Sequence, residues 1–228
     1  MQDVLLLVGA GQIGMAIARR IGYGQKLIIG DKSLTNAQSI TRMMNEAGFD
    51  AVAVETDISS KKSILNMIAA AQKYGEITTL VNAAGVSPSQ ASIETILKVD
   101  LYGTAILLEE VGKVIKTGGT GVTISSQSGH RMPALGFEVD EQLATTSAEE
   151  LLKLEVLQPQ NIKDTLHAYQ LAKRCNVKRV MAEAVKWGRK GARINSISPG
   201  IIVTPLALDE FNGPRGEFYK NMFAKCPA

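Results

Sequence analysis

Cysteine is scarce: only Cys175 and Cys226 occur in 228 residues. A disulfide framework is thereby excluded, and a reducing cytoplasm is the expected setting. A strong charge of one sign is also missing. Lys and Arg number 25 against 22 Asp and Glu, for a net charge of +3. That is too little to imply a nucleic-acid or membrane partner. The densest basic stretch, residues 186–193, reads as a solvated helix end. No apolar run reaches the ~20 residues that a membrane helix needs, and the N-terminus enters a strand-like run with no signal peptide ahead of it. Repeats, linkers and low-complexity segments are absent. No metal is expected. What remains, 45% hydrophobic and 21% charged, is the composition of one globular domain with a sizeable core.

Short apolar runs alternate with stretches of helical periodicity. Residues 3–8, 26–30, 51–54, 79–81, 121–125 and 192–198 read as strands. Residues 12–21, 33–47, 60–72, 93–116 and 161–187 read as helices, the second capped by Ser33 and the fourth broken near 97–102. This order predicts an α/β fold: one doubly wound parallel sheet of the Rossmann type, a single dinucleotide-binding domain over residues 1–228. One region breaks the rhythm. Between the fifth strand and the long helix, Ser147 and Glu150 are spaced as a capping box, which predicts an inserted helical segment at about 138–161.

Gly9, Ala10, Gly11, Gln12, Ile13 and Gly14 form GxGxxG after a strand and at the start of a helix. Glycine there allows a tight turn and close backbone approach to a pyrophosphate, which the helix N-terminus favours. Asp31 ends the second strand, where a carboxylate can accept both hydroxyls of an adenosine ribose and repel a 2′-phosphate. That favours NAD over NADP, and Lys32 softens the preference. Asp57, after the third strand, is a further ligand or a helix cap; the residues alone favour the cap. Asn82, Ala83, Ala84 and Gly85 follow the fourth strand, small enough to leave room for a ligand and equally suited to an ordinary turn. Tyr169 and Lys173 stand at i and i+4 and share a helix face. A free tyrosine titrates near pH 10, and a neighbouring ammonium favours its phenolate. Ser125 and Ser126 end the fifth strand at the same carboxyl edge, able to hold a substrate oxygen or to bond to backbone.

Together, NAAG, ISSQSG, YQLAK and RINSISPGIIVTPL resemble, in order and over residues 3–206, the short-chain dehydrogenase/reductase family. The resemblance implies a catalytic set of Ser126, Tyr169 and Lys173: oxygen holder, general acid/base, and ribose-binding lysine. It implies that Asp57 contacts the adenine with Ile58 beside it, reversing the cap reading. It implies that Asn82, Ala83, Ala84 and Gly85 run alongside the cofactor, and that Pro199, Gly200, Ile202 and Thr204 hold the nicotinamide carboxamide. The family commonly forms homodimers or homotetramers through its two long helices, which would bury Met181 and Val185.

Four departures stand out. The glycine turn is one residue tighter than the family's. Asp100 stands where the family has an asparagine; a backbone carbonyl and a water can carry that role with Asp present, whereas a side-chain role would alter the proton relay. The 138–161 segment is an insertion, expected to form a lid over the substrate or else a surface decoration. The sheet is expected to lack the family's last strand. The expected activity is reversible hydride transfer between NAD(H) and a secondary alcohol or ketone. An epimerase or dehydratase using the hydride transiently, and an NAD-binding redox sensor, are the rivals.

Overall fold

The computed structural model describes residues 2–225, and Leu206 through its backbone alone. Six strands form one sheet: β1 Gln2–Val8, β2 Lys26–Asp31, β3 Asp50–Glu55, β4 Gly75–Asn82, β5 Thr120–Ile124 and β6 Arg193–Ile197. Their order is β3-β2-β1-β4-β5-β6, and every pairing is parallel. The first helices are α1 Gln12–Ile21, α2 Leu34–Glu46 and α3 Lys61–Gln72. Strand order reverses between β1 and β4, and a crevice opens there at the carboxyl ends of the strands.

The central strand shows why the sheet is covered on both faces. Residues Val4, Leu5, Leu6, Leu7 and Val8 are all buried. Side chains alternate along a strand. Val4, Leu6 and Val8 pack with Ile64 and Met67 of α3, while Leu5 and Leu7 pack with Ala18 of α1 and Ile40 and Met44 of α2. Each large apolar side chain so buried contributes about 1.5–3 kcal/mol. Ser33 caps α2 by accepting the Asn36 N–H, and Ser60 caps α3 by accepting the Ser63 N–H. The cap of α3 is therefore Ser60, and the cap reading of Asp57 is corrected.

The helix expected over 93–116 is α4 Ile93–Ile96, a π-helical segment Leu97–Gly103, and α5 Thr104–Val114. The anticipated break thus lies where the helix widens to a π turn, a feature frequent at functional sites. The long helix α8 runs Thr165–Arg189. It starts later than expected because the Asp164 side chain accepts the His167 N–H at 2.8 Å and so fixes the first turn.

Between β5 and α8 lie α6 Phe137–Thr145 and α7 Ala148–Leu151, followed by two single 3₁₀ turns. The capping box does not form. Ser147 makes no side-chain cap, and the Ala148 N–H donates to Glu109 of α5 at 3.1 Å. Leu143, Leu151 and Leu157 are fully buried in the main core. Asp140 accepts two bonds from Arg174, at 2.7 and 2.6 Å, and pairs with Lys178 at 3.1 Å. Arg179, almost wholly buried, donates to the Thr146 carbonyl at 2.6 Å and to Glu109 at 2.5 Å. This segment is cladding fixed to α5 and α8.

After β6 come α9 Pro205–Asn212 and α10 Gly216–Ala224, and no further strand follows among the described residues. Cys175 is buried, and burial pushes its thiol up to about 12, leaving it inert in the core. Cys226 lies outside the described residues. No described helix is long and apolar enough to cross a membrane.

Candidate active site

The chain leaves β1 through Gly9, whose φ is +90°. A Cβ there would stand 2.5 Å from the Ala84 nitrogen, so only glycine lets β1 and the loop after β4 meet this closely. Gly11 then caps α1 with no side-chain bond, and a Cβ on it would meet nothing within 4 Å. The first-turn N–H groups of α1 have no side-chain acceptor and no acidic neighbour in that turn. A helix start of this kind over an open groove suits a phosphate. Gly9, Gly11, Gln12, Ile13 and Gly14 all border the groove, with Asp31, Asp57, Ile58 and residues 83–86.

Asp31 is held more firmly than its sequence position suggested. One carboxylate oxygen accepts the Ala10 N–H at 2.9 Å and the Asn36 amide at 3.2 Å; the other accepts the Ser33 N–H at 2.9 Å. It therefore braces the glycine turn as well as bordering the groove. Lys32 leans 3.7 Å from Asp57. Asp57 accepts the Ser59 N–H and hydroxyl. Burial would raise its carboxyl, but the Ser59 bonds and Lys32 prevail and hold it below the ordinary range.

The groove continues into a second cavity of about 210 Å³, with Ile13, residues 83–86 and Thr204 in both walls. Ser126, Tyr169 and Lys173 border this cavity, with Pro199, Gly200 and Ile202. Asn82 does not border either space. It is buried behind the loop, its amide donating to the Thr104 hydroxyl at 3.2 Å. The adjacent serines separate cleanly. The buried Ser125 hydroxyl donates to the Lys173 carbonyl at 2.7 Å and ties β5 to α8. Among the described residues Ser126 accepts only the Ser128 N–H, at 3.1 Å, and makes no bond through its own proton. Lys173 Nζ lies 5.3 Å from the centre of the Tyr169 ring.

The cover of this cavity comes from α9 and α10, not from residues 138–161, none of which borders it. The lid expectation is corrected: the apolar residues of that segment are spent in the core. Ala207, Glu210, Phe211, Tyr219 and Met222 line the cavity instead. Glu210 accepts the Ser89 N–H at 3.2 Å and hydroxyl at 2.6 Å, fastening α9 to the loop after β4. Burial and then the Glu210 carboxylate push Tyr219 up to about 12. Sequence reading missed these residues. The available signal was Thr204 followed by Pro205, a helix start that the structure uses: Thr204 accepts the Ala207 N–H, with Pro205 at the first helical position.

Residues 3–138 match the short chain dehydrogenase family. The short-chain dehydrogenase/reductase bsc3 of Alternaria brassicicola is 38% identical over 227 residues, covering 99% of this chain and 82% of that protein. A D-threitol dehydrogenase of Mycolicibacterium smegmatis is 25% identical over 229 residues, covering 96% of this chain and 77% of its own length. Among solved structures, levodione reductase superposes with a TM-score of 0.74 at 22% identity, over 97% of this chain and 80% of that one. A short-chain dehydrogenase/reductase from Burkholderia xenovorans gives 0.74 at 22%, over 99% and 82%. Sequence and fold agree: the chain belongs to the short-chain dehydrogenase/reductase family of oxidoreductases.

Proposed function

We propose that this enzyme moves a hydride reversibly between NAD(H) and a secondary alcohol or ketone. The observation that carries the reading is the meeting of Ser126, Tyr169 and Lys173 on one cavity whose wall continues into the glycine-turn groove. Bound nicotinamide dinucleotide supplies or takes the hydride; the chain supplies placement and proton transfer. Gly9, Gly11, Gln12, Ile13 and Gly14 hold the phosphates, and Asp31, Asp57 and Ile58 the adenosine half. Ala83, Ala84 and Gly85, backed by Asn82, would run alongside the cofactor, and Pro199, Gly200, Ile202 and Thr204 would hold its nicotinamide carboxamide. Ser126 holds the substrate oxygen with its free proton. Tyr169 takes or returns the hydroxyl proton. Lys173 steadies the phenolate and binds ribose. The Asp31 charge favours NAD over NADP, whatever else its oxygens bond. D-threitol dehydrogenase, one relative, carries an alcohol substrate in its name, in keeping with a small hydroxylated or carbonyl substrate here.

The test is NADH absorbance with a panel of secondary alcohols. Tyr169→Phe is expected to abolish nearly all turnover while keeping NAD affinity, because only an acidic hydroxyl is removed. Lys173→Ala is expected to damage both. Ordinary turnover in Tyr169→Phe would refute the assignment, and NAD binding with no turnover on any alcohol would favour a sensor. A dimer built on α5 and α8 fits the same reading, since Met181 and Val185 on α8 are exposed at 63% and 59%.

A further inference from the structure

The π-helical segment before α5 buries a carboxylate against the lysine of the site. Asp100 is wholly buried. Its Oδ1 accepts the Val86 N–H at 2.8 Å. Its Oδ2 has no hydrogen-bond partner and lies 3.7 Å from Lys173 Nζ, an ion-pair distance rather than a hydrogen bond. Lys173 is itself only 5% exposed. Gly85 lies beside the contact: a Cβ there would stand 2.9 Å from Asp100 Oδ1 and 3.2 Å from Lys173 Nζ. The order Asp100, Lys173, Tyr169 thus places a negative, a positive and a titratable phenol in succession.

We propose that Asp100 is a positioning residue which, as the buried counter-ion of Lys173, sets the pH at which the Tyr169–Lys173 pair gives up its proton. The inference rests on the catalytic reading above and adds a control to it. A bare ammonium next to a phenol makes proton loss from the pair easy. A carboxylate on the far side of that ammonium cancels much of the effect, because buried charges are weakly screened. Two coupled groups release their first proton in one macroscopic step, wherever the remaining proton sits. Removing the Asp100 charge therefore moves that step to lower pH whether phenol or ammonium loses its proton.

The surroundings act in both directions. Burial alone would lower the Lys173 ammonium, but Asp100 and Tyr169 outweigh it and the net direction is upward. Burial lifts the Asp100 carboxyl against the opposing pull of Lys173 and the Val86 N–H. The other titratable groups on this cavity are Glu210 from α9, engaged by Ser89, and Tyr219 from α10, pushed up to about 12. The described lining residues after β4, β5 and β6 add no charge. The nearby α8 charges are paired elsewhere: Arg174 and Lys178 with Asp140, and Arg179 with Glu109.

Asp100→Asn is the informative variant, because an amide oxygen keeps the Val86 bond while the charge goes. In alcohol oxidation, the rising limb of kcat/KM against pH is expected to move toward acid by about one pH unit, or about tenfold in rate on that limb. Asp100→Ser, a second neutral variant, is expected to move it the same way. Phenolate ultraviolet absorbance, taken as the difference between each protein and its Tyr169→Phe derivative, reads the same shift in cofactor-free protein. A mainly structural Asp100 would lower the melting temperature and leave both curves in place. Coincident curves in the absorbance titration overturn the proposal. A displaced absorbance curve in a protein that oxidises no alcohol upholds it and rejects the enzymatic reading alone.

Discussion

Ser125 and Ser126 are chemically identical neighbours with different hydrogen bonds, and the proposed function gives them opposite duties. Ser125→Ala removes a buried hydroxyl that donates to the Lys173 carbonyl at 2.7 Å. That carbonyl lies mid-helix and keeps its own helical partner, so the loss is one buried bond, about 1–2 kcal/mol. For a domain of this size each kcal/mol shifts Tm by about 2–4 °C, so Tm is expected to fall by roughly 2–8 °C. The bond also fixes the height of Lys173 against β5, and a modest rise in cofactor KM is expected with it. Ser126→Ala removes only an acceptor for the partly buried Ser128 N–H, and Tm is expected to stay nearly constant. Under the proposed function its cost is expected to fall on chemistry: one donor to the substrate oxygen is worth on the order of 10²–10³ in kcat. Calorimetry and steady-state kinetics on the two variants decide the matter. A stable Ser125→Ala as inactive as Ser126→Ala would refute the division of labour, as would an active Ser126→Ala.

Asp31→Ala is expected to raise NADP affinity relative to NAD by calorimetry and also to lower Tm, because the Ala10 and Ser33 N–H groups lose their acceptor; an unchanged cofactor ratio would remove Asp31 from the specificity argument. Asp140 is held below the ordinary carboxylate range, first by its Arg174 hydrogen bonds, against burial, and then by Lys178. A depressed carboxyl stabilises the fold above its unfolded pKa and loses that contribution as pH falls through the folded one. Asp140→Asn is therefore expected to flatten the acid side of the Tm–pH curve, below about pH 4; parallel curves would contradict this. Light scattering is expected to give a dimer or larger, and Met181→Asp to shift it toward monomer; a monomeric wild type would refute the α5–α8 contact.

The β–α alternation was legible because strands covered on both faces are apolar at every position, as Val4 to Val8 are. Gln12–Ile21 is α1 to the residue, since the glycine turn and Gly22 bracket it. Tertiary partners were not legible. Nothing near Ser147 reveals that the Ala148 N–H is taken by Glu109, 39 residues before Ala148. Leucines at 143, 151 and 157 report that the segment buries something, and periodicity cannot say whether that is substrate or core. The serine pair was readable as two candidates; that Ser125 spends its hydroxyl on the Lys173 carbonyl, 48 residues away, was not. Asp100 was legible as a departure; its burial against Lys173 was not.

Residues 83–86 border both the glycine-turn groove and the cavity that holds Ser126, Tyr169 and Lys173. Under the proposed function, a change there is expected to alter both cofactor and substrate binding. Ala207, Phe211, Tyr219 and Met222 border the cavity alone. Under the proposed function, selection for a new substrate acting on those four residues leaves the groove as it was, whereas selection acting on the loop after β4 must satisfy two ligands at once. The architecture thus separates a wall that is free to diversify from a shared one made of Ile13, residues 83–86 and Thr204.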